Sequence, residues 1–82
     1  MTAADARRRF NLPVIPACVL VDGPQDNEGS PEWTVCFGDD AGEVIDVKAV
    51  IWFCASCERA QEYGVELARR YGLEYVNEAS PA

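Results

Sequence analysis

A chain of 82 residues is one domain in length, well short of the ~150 at which chains begin to divide. Its hydrophobic fraction of 49% is too high for a disordered segment. Seven basic against fourteen acidic side chains, no histidine and a net charge of −7 repel phosphate rather than collect it, so nucleic acid is not expected as a direct ligand.

Residues 1–16 form a candidate N-terminal cap. Thr2 is placed to cap a short helix over 3–10, and Pro13 and Pro16 impose extended backbone soon after. Arg7, Arg8 and Arg9 followed by an apolar stretch are faintly similar to a twin-arginine export signal, but the two prolines interrupt the would-be hydrophobic region. The expectation is therefore a cytoplasmic protein, where cysteines stay reduced. Charge is uneven. Residues 1–21 carry +2 and residues 22–82 carry −9, which suggests a basic head folding onto an acidic body. No apolar run approaches the ~20 residues of a membrane-spanning helix.

The first strand is expected at 17–22, rich in Val and Leu. Residues 23–31, with two prolines, two glycines and polar filler, read as a surface loop. Trp33, Val35 and Phe37 alternate with Thr34 and Cys36, the period of a strand with one buried face. Turn formers at 39–42 then predict a hairpin whose return strand covers 44–53. On that strand Val50 and Trp52 share a face with Asp46 and Lys48, an apolar pair needing a cover: either the N-terminal segment or a partner.

Ser56 is placed to cap a helix over 57–71, with Ala60, Tyr63, Gly64, Leu67, Ala68 and Tyr71 on its apolar stripe and Gly72 as terminator. Residues 73–76 read as a last strand and 77–82 as a flexible tail. The expected fold is α+β: a small, mostly antiparallel sheet in the chain order β-β-β-α-β, one main helix on one face, and a single domain over 1–82.

Two sets of residues bear on function. Cys54 and Cys57 have the two-residue gap of a metal knuckle or a redox pair. With Cys36 opposite about Ile45 and Cys54 nine residues further along an unbroken strand, a single four-cysteine zinc site is excluded by a separation on the order of 30 Å. Cys18 falls near Cys36 if the first two strands pair; both then act as small buried hydrophobes, with a disulfide open to them if their Cα atoms approach within ~7 Å.

The segment VIWFCASCERAQEYGVELARRYGLEYV, residues 50–76, resembles the strand, active site, helix and second strand that open a glutaredoxin. The resemblance implies Cys54 as attacking thiol and Cys57 as resolving thiol. It covers a third of the chain, and nothing after residue 77 supplies that family's cis-proline strand, second hairpin or closing helix.

The other set is Glu58, Glu62 and Glu66, which recur at spacing four and form one anionic row on the helix. Without histidine, Ser-His and Cys-His nucleophilic schemes are removed. The function read from the sequence is a non-enzymatic binding module without a cofactor. It presents Glu58, Glu62 and Glu66, or Val50 and Trp52, to a basic protein or to a second copy of itself, a mode similar in size and charge alone to small acidic inhibitors of mobile elements. The alternative is thiol-redox or metal-binding chemistry at Cys54 and Cys57.

Overall fold

A computed structural model describes residues 1–27 and 29–81; Glu28 of the expected loop and Ala82 of the expected tail lie outside the described residues. The chain forms α1 (Ala3–Phe10), β1 (Cys18–Asn27), β2 (Ser30–Gly38), β3 (Val50–Cys54), α2 (Cys57–Tyr71) and β4 (Glu74–Ala79). The four strands make one sheet in the order β3-β2-β1-β4. β1 and β2 are antiparallel, as are β2 and β3, while β4 lies parallel to β1. Parallel pairing cannot be made by a tight turn, and α2 supplies the crossover from one edge of the sheet to the other.

Both helices cover the same face. Val19, Val21, Trp33, Val35 and Phe37 point to that side and close the core with Ala60, Leu67, Ala68 and Tyr71 of α2 and Ala6 of α1. Phe10 at the end of α1 packs on Phe37 and Tyr71 at centroid distances of 5.0 and 6.1 Å. The other face carries a smaller cluster, Cys18, Leu20 and Cys36 between Val50 and Val76.

Local signals account for the helices. In α1, Thr2 and Asp5 cap each other: the Asp5 N–H donates to the Thr2 hydroxyl at 3.3 Å, and the Thr2 N–H donates to the Asp5 carboxylate at 2.7 Å. In α2, Ser56 accepts from the Arg59 N–H at 3.2 Å, and Gly72 ends the helix at φ 65°.

The expected loop over 23–31 is instead largely strand. Pairing lapses between Asp22 and Gln25 and resumes at Gln25 opposite Glu32. Gly23 and Pro24, joined by a cis peptide, occupy that gap, so the proline's missing N–H falls where the ladder is already interrupted. Gly23 is required there: at φ 131°, a Cβ would stand 2.8 Å from the Glu32 carbonyl oxygen and the Trp33 ring.

The turn at 39–42 does reverse the chain, with Gly38 bridging Val44. The return strand, however, does not run unbroken over 44–53. Asp46 caps a 3-10 turn, Val47–Ala49, that lifts the chain out of the sheet, and β3 begins only at Val50. Cys36 therefore pairs with Val50, not Ile45, and Cys54 pairs with Trp33, three residues from Cys36. The expected ~30 Å separation shrinks to about 10 Å, and the two thiols are parted instead by facing opposite sides of the sheet. At its far end β4 continues past the expected limit to Ala79, and the Ser80 carbonyl accepts from the Trp33 indole at 2.9 Å, so part of the expected tail is sheet. The basic head docks through Phe10, not through charge. Among the described residues its ion pair is internal, Arg8 with Asp5.

Candidate functional site

α2 turns its stripe of small and aromatic residues to the sheet. Gly64 allows the closest approach: a Cβ there would stand 2.4 Å from Val21 and 3.0 Å from the Tyr75 ring. At that point the helix is pressed onto Val21 of β1 and Tyr75 of β4, while it reaches β3 least. On the β3 side an open groove of about 750 Å³ remains. Glu58, Glu62 and Glu66 line its helix wall, Trp52 of β3 and Tyr63 of α2 meet in it, and Ser56 and Arg59 border it. The two aromatic rings pack edge to face, with centroids 4.9 Å apart and planes at 71°.

The sequence-derived residues are only partly brought together. The glutamate row and Trp52 share this groove. Val50 does not join them. The β2–β3 register shifts between the Val35–Trp52 and Cys36–Val50 pairs, leaving Ile51 as the additional residue of a bulge. Val50 then packs with Leu20 and Cys36 on the far face, whereas Trp52 stands on the helix side beside Tyr63. An alternating strand puts Val50 and Trp52 on one face, and one inserted residue separates them. The N-terminal segment covers neither: α1 docks on Phe37 and Tyr71, and Tyr63 is what packs against Trp52.

Electrostatics along the row are graded. Glu66 is engaged by Arg69 and, at 3.7 Å, by Arg70. Glu58 and Glu62 make no ion pair among the described residues and sit exposed nearer the N-terminus of α2. Among the described residues, Arg59 is the cation that borders the groove. Sequence reading missed two members, Tyr63 and Arg59. The spacing of Tyr63 fits the packed stripe, but its place next to Glu62 marks the stripe's boundary, where a ring can serve core and groove together.

The cysteines divide by face. Cys18 and Cys36 are buried on the side away from the helices; each thiol donates to a carbonyl at 3.7 Å, Cys18 to Asp39 and Cys36 to Leu20. Burial first, then the Asp22 carboxylate, pushes the Cys36 thiol up to about 11, and burial with Glu74 raises Cys18. Cys18 lies opposite Gly38 and Cys36 opposite Leu20, so the two thiols are diagonal, not cross-strand, neighbours. Cys54 and Cys57 are half-buried against the helix-side core, with the Ser56 N–H donating to the Cys54 sulfur at 3.4 Å. All four are free thiols. Among the described residues, no group of three or more cysteine, aspartate or glutamate side chains is placed to hold a metal ion.

Segment 50–76 supplies the strand, helix and strand of the glutaredoxin resemblance. Their setting is different: β1 and β2, from upstream, lie between β3 and β4. Among the described residues no helix is long and apolar enough to cross a membrane. No protein-family model matches the chain, and neither the curated proteins nor the solved structures contain a significant match to it.

Proposed function

We propose that this chain is a non-enzymatic protein-binding module that receives a basic segment of a partner protein in the groove between α2 and β3. The observation that carries the reading is the meeting of Trp52 and Tyr63 beside Glu58 and Glu62. A guanidinium or ammonium group entering there finds carboxylates and aromatic faces together, and the two attractions reinforce each other for a cation only. The glutamate row costs its own helix a few tenths of a kcal/mol per like-charged pair, and a cationic partner removes that cost. A second copy of the chain fits less well, because it would bring another −7 and another glutamate row to the contact. The reading takes the protein as cytoplasmic and needs no cofactor.

Trp52 reports the test, since Trp33 is buried and constant. Titration with an arginine octapeptide at low salt should shift Trp52 emission, with an affinity that falls as salt rises. Charge reversal by Glu58→Lys with Glu62→Lys, at exposed positions where Lys and Glu have similar helix propensity, should weaken binding at least about tenfold and flatten the salt dependence. Equal affinity of the two proteins at low salt would refute the reading.

A second reading is favoured by the hydrogen bond that the Ser56 amide, at the cap of α2, donates to Cys54 at the end of β3. In it the Cys54 thiolate attacks oxidised glutathione, releasing one reduced glutathione. Cys57, losing its proton, then closes a Cys54–Cys57 disulfide and releases the second. Mass spectrometry after exposure to oxidised glutathione reads the two-proton loss.

A further inference from the structure

We infer that the partner is bound as an added β-strand on the outer edge of β3, and that its cationic side chains recur at every second position. The inference rests on the groove reading above and specifies how the groove is used.

β3 is a terminal strand of the sheet, so its outer row of backbone N–H and C=O groups faces away from β2. Open edges are ordinarily guarded by charge or proline. The other terminal strand, β4, is guarded in this way by Glu74 and Glu78. β3, Val-Ile-Trp-Phe-Cys, has neither a charged residue nor a proline. It also keeps large apolar groups in solvent on both of its faces: Trp52 is 37% exposed on the helix side and Phe53 is 57% exposed on the other. An incoming strand satisfies the free backbone groups and covers both rings, the geometry of strand addition to a sheet edge.

The glutamates select the strand's composition. β3 and β4 run parallel to each other with α2 between them, so α2 returns antiparallel to β3 and its exposed wall runs alongside the open edge. Residues four apart on a helix are separated by about 6 Å along its axis. Alternate residues of an extended strand are separated by about 6.7 Å. The two periods nearly coincide, so side chains on one face of an added strand meet Glu58 and Glu62 in turn, and reach Glu66 by competing with the surface pairs it makes to Arg69 and Arg70. Paired to a second β3 instead, the edge would align two such rows of like charge, which is unfavourable.

The test leaves the protein unaltered and varies the peptide. The probes are an octapeptide of alternating lysine and threonine, one of the same composition with its lysines contiguous, and two forms of the alternating peptide N-methylated at one or the other alternate set of backbone amides. Trp52 emission gives affinity, and amide exchange reports β3. The alternating peptide should bind at least about tenfold more tightly than the contiguous one. Methylation of one amide set should abolish binding while the other set is tolerated, and the β3 amides should gain protection on binding. If all four peptides bind alike, strand addition is overturned and the cationic groove stands. If none binds at low salt, both fall. A dimer of the free protein with protected β3 amides overturns the inference in favour of self-pairing.

Discussion

Gly64 decides how closely helix and sheet meet. In an isolated helix, replacing glycine with alanine gains up to about 1 kcal/mol of propensity. Here the added methyl would lie 2.4 Å from the Val21 side chain, on a strand in the middle of the sheet, and 3.0 Å from Tyr75. Overpacking a closed core costs about 1–3 kcal/mol, so the clash outweighs the propensity gain and Gly64→Ala should destabilise the fold by roughly 1–2 kcal/mol. Urea unfolding measures it, with exposed Val65→Ala as a control expected to lie within about 0.5 kcal/mol of the parent. A stabilised Gly64→Ala protein would mean that α2 does not approach the sheet so closely. It would also remove the reason for the groove, because pressing α2 onto Val21 and Tyr75 leaves Trp52 uncovered on its other flank.

Elements with autonomous signals were legible in the sequence, and those set by pairing were not. α1 begins and ends where its caps place it, and α2 carries its stripe, cap and terminating glycine as expected. Strand limits differ because partners decide them. Gly23 and Pro24 look like a loop but sit in a bulge, and the 3-10 turn at Val47–Ala49 divides a run whose alternation alone reads as continuous strand. The bulge at Ile51 explains why Glu58, Glu62, Glu66 and Trp52 meet in one site while Val50 does not: helix spacing survives tertiary packing, and strand parity is inverted by one extra residue. The capping box of α1 also gives a pH dependence. The Thr2 N–H, then the Thr2 hydroxyl, hold Asp5 below its ordinary pKa of 3.8. Because the folded value lies below the unfolded one, the cap's contribution is complete above 3.8 and is lost as pH falls through the folded value. The protection factors of the Ala3–Phe10 amides, exchange rates taken relative to the unfolded chain at the same pH, should therefore fall on acidification below that pH while those of α2 hold, and Asp5→Asn should abolish the difference. Uniform loosening of both helices would show instead that the whole fold yields first.

Across the molecule the sheet acts as a partition between two environments for the thiols. On one side Cys18 and Cys36 are 3% and 2% exposed, and neighbouring carboxylates oppose their ionisation as burial does. A thiol near 11 is ionised to about one part in a thousand at pH 8, so its reaction with an alkylating agent awaits unfolding. Cys54 and Cys57 lie on the other side, at the end of β3 and the start of α2, half-buried, with one amide already donating to Cys54. Native protein treated with iodoacetamide at pH 8 should gain two adducts quickly, at Cys54 and Cys57, and two more only at the rate of global opening, a rate that urea raises. Alkylation of all four at one rate would contradict the partition. Oxidised glutathione refines the experiment. If Cys54 exchanges, the product is two protons lighter, unreactive at Cys54 and Cys57, and still carries two protected thiols. If the mass is unchanged and the fast pair remains alkylatable, the thiol-exchange reading is removed and the motif at 54–57 serves as a strand-to-helix junction.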